Sequence, residues 1–257
     1  MLSKIIRLSI IAIIFVNYAI AIEIKDLSTA IDIAGKQRMF TQRLLKDYAM
    51  VGMGNTYANP KGDLQKIIKE FEDHLQSLDN FTNDSKTKVR IQEAKKLWRP
   101  IKKRLLQTPS KENAVILQQE LESLLKTSDD ITGLFASQSK ESTGEIINIS
   151  GRQRMLSQRM ASLYMLKVWG IDDPKFKEKL EEAMDLFKSS LSKLRGYEKN
   201  SDEIKALLKK AQRSFMFFEI MSRSKSRFIP TLIYKKSNDI LKNMNKATYL
   251  YTKLEVK

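Results

Sequence analysis

Apolar residues recur at spacings of three and four along most of the chain, which is the pattern of helices that bury one face. In one stretch they are Leu64, Ile67, Ile68, Phe71, Leu75 and Leu78. The pattern returns 116 residues later as Leu180, Ala183, Met184, Phe187, Leu191 and Leu194. With only 9 glycines and 5 prolines in 257 residues, long helices are rarely interrupted. The chain is therefore predicted to be all-α.

One segment of eighteen residues occurs twice at the same offset. It reads IDIAGKQRMFTQRLLKDY at 31–48 and INISGRQRMLSQRMASLY at 147–164, with nine of eighteen positions identical. The identical positions include two arginines and two glutamines, whereas a packing helix needs to keep only its apolar positions. We interpret the chain as a tandem duplication with copies at 22–138 and 139–257.

Each copy is predicted to form an antiparallel four-helix bundle. The first helix ends at Gly52–Gly54 or at Gly170, since glycine suits a left-handed C-cap. The second starts after Asn59-Pro60 or Asp173-Pro174, a capping residue followed by proline. The third covers about 85–106 and 201–222, with a kink or local break expected at Pro100. The fourth starts after Thr108-Pro109 and after Ile229-Pro230.

The connection between the copies contains no proline from Ser110 to Trp169. We expect the fourth helix of copy one to continue into the motif helix of copy two, as a shared rod of about 90 Å. Such a rod would join the two bundles end to end. The alternative is a hinge near Ser142-Thr143-Gly144.

The N-terminus has the features of a secretory signal. Lys4 and Arg7 precede an apolar run, and Ala19-Ile20-Ala21 fits a cleavage site, so residues 1–21 are predicted to be removed. An uncleaved membrane anchor is the alternative. Cleavage lowers the formal charge from +16 to +14. For an exported, periplasmic chain this favours small anions, an anionic surface or an acidic partner over nucleic acid, although solvated lysines would have the same composition.

The composition argues against catalysis and bound cofactors. The chain has no cysteine, a single histidine (His74) and no glycine-rich phosphate loop. Thiolate and multi-histidine metal sites are thus excluded, and Ser/His/Asp catalysis is disfavoured. His74 lies among charged residues and is expected at the surface. We predict a non-enzymatic protein without metal or cofactor.

An arginine interrupts the apolar stripe of each motif helix. Arg38 lies in line with Ile31, Leu45 and Gly52, and Arg154 occupies the same place in copy two. A buried arginine must either pair with an acid or contact water. Its planar guanidinium group suits carboxylate, nitrate or phosphate oxygens. This predicts two candidate anion sites. Gln42 and Gln158 would add donors, and Gly35 and Gly151 would leave room for a ligand or a second helix.

The second arginine of each motif, Arg43 or Arg159, lies five residues further and about 140° around the helix. It is expected to face a neighbouring helix or a symmetry-related chain. In a purely structural alternative, Arg38 pairs with an acid of another helix and fixes the packing. The acids considered for that pairing are Glu70, Glu72 and Asp73. Met39, Met155, Tyr48 and Tyr164 are expected to be packing residues.

The segments IAGKQRMFTQR at 33–43 and ISGRQRMLSQR at 149–159 resemble the signature of the PilJ-type domain at the N-terminus of type IV pili chemotaxis transducers. They are also similar to the periplasmic domain of nitrate/nitrite sensor kinases. The resemblance implies four-helix bundles outside the inner membrane. It further implies that Arg38 and Arg154 bind an anion, as the corresponding arginine does at the dimer interface of the nitrate sensors.

This chain departs from those sensors at two points. It has Gln42 and Gln158 where nitrate sensors tend to carry an aromatic residue, and it ends at Lys257 without a second membrane span or output domain. We therefore expect an exported ligand-binding accessory protein that presents a small anion to a membrane chemoreceptor or sensor. A homodimer is one assembly that this expectation allows. The alternative is a structural or interaction protein whose motif arginines form internal salt bridges.

Overall fold

The computed structural model describes residues 23–139, 142–171, 173–223 and 229–254, and within these ranges the chain is almost entirely helical. The all-α prediction is confirmed. The helices are α1 (Leu27–Gly52), α2 (Pro60–Phe81), α3 (Ser85–Leu105), α4 (Lys111–Gln138), α5 (Ser142–Val168), α6 (Pro174–Arg195), α7 (Asp202–Arg223) and α8 (Pro230–Leu254).

The helix ends follow local sequence signals. Asn59 and Asp173 each cap the helix that begins at the following proline, with side chains that accept from backbone N–H groups. Gly54 and Gly170 adopt positive φ values of 69° and 82° just beyond α1 and α5. Of the kink or local break expected at Pro100, the break is absent, since α3 continues through it to Leu105. Pro100 is exposed, so water can reach the backbone carbonyl that loses its partner there.

Consecutive helices pack in two groups of four. In the first group α1 packs against α2 and α4, and α3 packs against α4. In the second group α5 packs against α6 and α8, and α7 against α8. Related aromatic pairs stack in the two cores, Phe71 on Trp98 at 4.2 Å and Phe187 on Phe215 at 4.5 Å between ring centroids. The proposed boundaries at 22–138 and 139–257 remain a prediction.

The predicted shared helix between the copies is wrong. α4 ends at Gln138, Ser139 is extended with ψ 127°, and α5 starts at Ser142, just before the hinge considered at Gly144. The largest contact of α1 is with α5, so the two groups lie side by side along their motif helices. A straight rod would have separated these helices and left their polar contact faces in water, whereas the reversal of the chain buries them.

The predicted signal segment, residues 1–21, lies outside the described residues. Within the described ranges, no helix combines the length and the apolar character that crossing a membrane requires.

Candidate functional site

The contact between α1 and α5, called the seam below, runs from Asp32 to Lys46 on α1. A Cβ placed on Gly35 would lie 3.9 Å from the Cα of Gly151, so the two backbones approach closely at these glycines. Further along both helices, Lys46 Nζ donates to Gln158 Oε1 at 2.7 Å. Because both contacts advance in the same chain direction, α1 and α5 are parallel.

Arg38 is fully buried in the seam, with none of its side chain exposed. Its Nη1 donates to Asp129 Oδ1 of α4 at 2.6 Å and to Asn148 Oδ1 of α5 at 2.7 Å. Its Nη2 donates to the backbone carbonyl of Asn148 at 3.1 Å. The arginine of copy one therefore bonds to both copies.

Arg154 repeats this arrangement from the other side, with 1 % of its side chain exposed. Its Nη1 donates to Asp32 Oδ1 of α1 at 2.6 Å and to Asn245 Oδ1 of α8 at 3.4 Å, and its Nη2 to the Asp32 carbonyl at 3.2 Å. Each arginine thus has one carboxylate and one amide partner. The acid comes from the arginine's own copy for Arg38 and from the other copy for Arg154.

The two guanidinium groups, called the arginine pair below, meet at the glycines. The Nη2 atoms of Arg38 and Arg154 both lie 3.0–3.3 Å from the points that a Cβ on Gly35 or Gly151 would occupy. Two separate sites were expected from the sequence, one in each copy. The seam instead brings both arginines to a single centre.

Positive charge exceeds negative charge around the arginine pair. Lys36 Nζ lies 2.9 Å from Asp32, and Arg152 Nη2 lies 3.3 Å from Asp129. Four cationic side chains therefore surround two carboxylates. Burial, followed by repulsion from the neighbouring arginines, lowers the pKa of Arg38 to about 10.

The carboxylates respond in the opposite direction. Burial opposes their ionisation, yet the charges of Arg38 and Arg154 hold the pKa of Asp129 and Asp32 below the usual value. Both acids therefore remain ionised near neutral pH, and so does Arg38 with its pKa of about 10. The excess of positive charge at the centre persists.

Two buried donors at this centre have no partner in the part of the chain that the structure describes. Within the described residues, Nε of Arg38 and Nε of Arg154 make no hydrogen bond. An unmade hydrogen bond at a buried donor costs about 1–3 kcal/mol. These donors are therefore available to an acceptor that enters the seam.

The motif glutamines bond further along the seam than predicted. Gln42 Oε1 accepts from Ser162 at 3.4 Å, and Gln158 Nε2 donates to the backbone carbonyl of Ser237 at 3.1 Å while its Oε1 accepts from Lys46. In the described part of the chain neither glutamine bonds to the arginine pair. Their effect on an anion held there would be indirect.

The second arginines of the motif face neighbouring helices, which was one of the two expected positions. Arg43 Nε donates to Asp63 of α2 at 2.8 Å, and Arg159 Nη1 donates to Glu122 of α4 at 2.7 Å. These ion pairs connect the seam to the surrounding helices and lie apart from the arginine pair.

Two sequence-based expectations about α2 are wrong. The acids considered for Arg38 pair elsewhere, namely Glu70 with Lys66, Glu72 with Lys102 and Asp73 with Lys69. His74 is 4 % exposed, and its ring lies 5.2 Å from that of Phe40. Burial, followed by repulsion from Lys36, lowers the pKa of His74 to about 4. Its charged sequence neighbours occupy the other faces of the helix.

Sequence reasoning missed a second polar cluster in the seam. Lys46 and Asp47 are both fully buried, and Lys46 Nζ lies 4.0 Å from the centre of the Tyr234 ring. Copy two has Ser162 and Leu163 at these positions. A charged pair that replaces uncharged residues within an otherwise matching motif is the signal that identifies this cluster in the sequence.

Comparison with known protein families matches residues 23–128 and 135–215 to the PilJ model, described as the N-terminal part of type IV pili methyl-accepting chemotaxis transducers. The matched residues make up more than half of the chain, and each segment contains one copy of the motif. The chain belongs to the PilJ family. No curated protein and no solved structure matched it. Asp129 and Asn245, the partners on α4 and α8, lie outside both segments matched to PilJ.

Proposed function

We propose that this chain is a sensory binding protein that holds one small anion between Arg38 and Arg154. The observation that carries the proposal is the meeting of two buried guanidinium groups, one from each copy, at Gly35 and Gly151. Like charges brought together in a buried place repel each other, and an anion between them would relieve that repulsion.

The chemistry of the arginine pair suits a compact oxyanion. Guanidinium groups recognise planar oxygen groups through two parallel donors, and here the unpaired Nε atoms can act beside Nη2. The excess of two positive charges over the carboxylates favours a ligand with one or two negative charges. The close approach of the helices at the glycines favours a ligand with few atoms. Nitrate, nitrite and small carboxylates meet these requirements.

The family match supports a sensory role. The PilJ model describes part of a chemotaxis transducer. For this chain we infer an exported protein on the outer side of the inner membrane, whose anion-bound form contacts a membrane chemoreceptor or sensor. Residues from both copies contact the arginine pair, so binding would alter the packing of α1 against α5, and that change would be visible to a partner.

One observation favours the alternative of a structural or interaction protein. Each arginine of the pair already has a carboxylate at 2.6 Å, as internal salt bridges require. Under this alternative the arginine pair only joins the two copies, and the basic surface contacts an acidic partner. The two functions make opposite predictions for ligand binding.

Calorimetry and thermal melting of the purified protein with nitrate, nitrite and acetate distinguish the anion-binding function from the structural alternative. Anion binding is expected for the unmodified protein and should be lost on Arg38→Lys with Arg154→Lys, which keeps the charge and removes the planar fork. The matched control is Arg43→Lys with Arg159→Lys, which should bind normally. An absence of heat and melting shift for every anion would contradict the proposal, as would binding that survives in the first variant.

A further inference from the structure

An open cleft of about 550 Å³ lies between α1 and α8, beside the seam. Its polar lining consists of Arg43 from α1 and, from α8, Asn238, Lys242, Asn245, Lys246 and Tyr249. The volume is within the range of small-molecule sites and exceeds what a three- or four-atom anion needs. We propose that this cleft is a second binding site, for a small organic anion that carries carboxylate groups.

Two asparagines on the floor of the cleft accept hydrogen bonds from buried cations. Asn238 Oδ1 accepts from Lys46 at 2.8 Å, and Asn245 Oδ1 accepts from Arg154 at 3.4 Å. Because both side-chain oxygens accept from these cations, the NH₂ groups of Asn238 and Asn245 remain as donors. Within the described residues neither NH₂ group has an acceptor. An acceptor in the cleft would therefore meet oriented donors that are backed by buried charges.

The spacing of these amides indicates the size of the ligand. Asn238 and Asn245 are seven residues apart, so they lie on one face of α8 and about 10 Å apart along its axis. Tyr249 continues this side of the helix with 56 % of its surface exposed, and it offers a ring against which an apolar part can pack. An elongated organic acid fits this arrangement better than an inorganic ion does.

The equivalent surface between α5 and α4 has the opposite charge. The positions of Asn238, Asn245 and Lys246 are occupied there by Glu122, Asp129 and Asp130, and Tyr249 is replaced by Gly133. Glu122 and Asp129 neutralise Arg159 and Arg38 directly. Among the described residues, the lining of the α1/α8 cleft has three cationic and no acidic side chains, whereas its counterpart has two cationic and three acidic ones.

Not all cations of the cleft are equally available. Arg43 also contacts Asp63, and Lys246 also contacts Glu203. Lys242 is exposed and has no ion-pair partner within the described residues. Lys242 is therefore the cation that a ligand would engage most directly, and changing it breaks no ion pair or side-chain hydrogen bond among the described residues. Lys126 is its exposed counterpart on α4 and provides a matched control.

Titration calorimetry with citrate tests the inference. An ionic strength of about 0.15 M is used because exposed charges beyond the screening length then contribute little to citrate binding. We expect saturable binding to the unmodified protein, weakened about tenfold or more by Lys242→Glu and less than about twofold by Lys126→Glu. Tyr249→Ala should weaken benzoate binding more than citrate binding. Equal losses in Lys242→Glu and Lys126→Glu would overturn the site, because binding would then follow overall charge alone.

The same titration distinguishes this site from the arginine pair. Citrate binding should persist in Arg38→Lys, even if nitrate binding is lost, because Arg38 bonds to Asp129 and Asn148 and not to the amides of the cleft floor. Citrate that fails to bind the unmodified protein refutes the cleft site whether or not nitrate binds. Citrate binding that disappears in the arginine variant also refutes it, because the ligand would then occupy the seam.

Discussion

Around Gly35 and Gly151 the two copies contribute matching glycines and arginines to the seam, and each arginine bonds across it in the same way. About three turns further along, copy one has buried Lys46 and Asp47 where copy two has Ser162 and Leu163. At the glycines the arrangement of the two arginines is symmetric, although the acids that pair with them are not. At Lys46 and Asp47 the charged side chains occur in copy one alone.

The comparison shows which residues can differ between the two copies of a duplicated helix pair. At the glycines the arginines of both copies lie beside the same two backbone positions, so a change on one side alters the environment of the other. The partners still differ in charge, since Asp32 corresponds to Asn148 and Asp129 to Asn245. Each arginine has one carboxylate partner, and copy one supplies both of them.

Truncating one arginine of the pair should have the largest effect on stability. Arg38→Ala and Arg154→Ala should each lower the free energy of unfolding by about 3–5 kcal/mol, because a buried ion pair is broken and a cavity is left. Arg154→Ala should cost more, since Asp32 is 14 % exposed and Asp129 is 44 % exposed.

Urea unfolding measures this difference. Arg90→Ala is the control, because Arg90 forms an exposed pair with Glu93 and its loss should change stability little. Losses below about 1 kcal/mol for both seam arginines would show that the symmetric contact adds little to stability.

The next largest loss of stability is expected from removing the buried charge of Lys46, which copy two lacks. Lys46→Met leaves Asp47 buried beside Arg43 alone, and a loss of about 2–3 kcal/mol is expected at pH 8. Installing the residues of copy two, Lys46→Ser with Asp47→Leu, should cost less than Lys46→Met, because no buried charge is left uncompensated. Urea unfolding of the three proteins checks this. A double variant less stable than Lys46→Met would mean that the pair is a net stabilising feature.

The pH dependence of stability should distinguish the two ends of the seam. Burial, followed by the nearby Asp63 charge, raises the pKa of Asp47 to about 7. A raised carboxyl pKa contributes stability that is full below the unfolded value near 4 and is lost as the pH rises through about 7.

Unfolding of the unmodified protein and of Asp47→Leu is therefore compared between pH 4 and 8. The advantage of the unmodified protein should shrink as the pH rises from 4 to 7. The opposite contribution of His74 is present in both proteins and cancels. A difference that does not vary with pH would contradict a raised pKa of Asp47.

The smallest effect on stability is expected at the glycines. Gly35→Ala and Gly151→Ala add a methyl group 3.0 Å from Arg154 Nη2, while alanine gains up to about 1 kcal/mol of helix propensity. These contributions oppose each other, so the net change should stay within about 1 kcal/mol and be similar for the two variants. Thermal melting measures it. A large effect of only one variant would show that the seam is asymmetric even at the glycines.

Local signals in the sequence were sufficient for the helices and for the burial of Arg38 and Arg154. The starts of α2 and α6 follow from Asn59-Pro60 and Asp173-Pro174, which act within a single turn. The buried arginines follow from their place in an apolar stripe, which depends only on helical periodicity.

Long-range packing could not be predicted in this way. The absence of proline between α4 and α5 allowed one continuous helix, but the burial of α5 against α1 selects a reversal. Asp129 and Asn148 become partners of Arg38 only through that reversal. His74 was placed at the surface because its sequence neighbours are charged, although its own face of α2 points to Phe40.

The stoichiometry of nitrate binding tests the central claim, that the two arginines form one site, most directly. Titration calorimetry should give one nitrate per chain, and either Arg38→Lys or Arg154→Lys alone should abolish binding, because both guanidinium groups hold the same ion. Two nitrates per chain, or one remaining nitrate in each single variant, would show that the copies bind independently and would contradict a shared site.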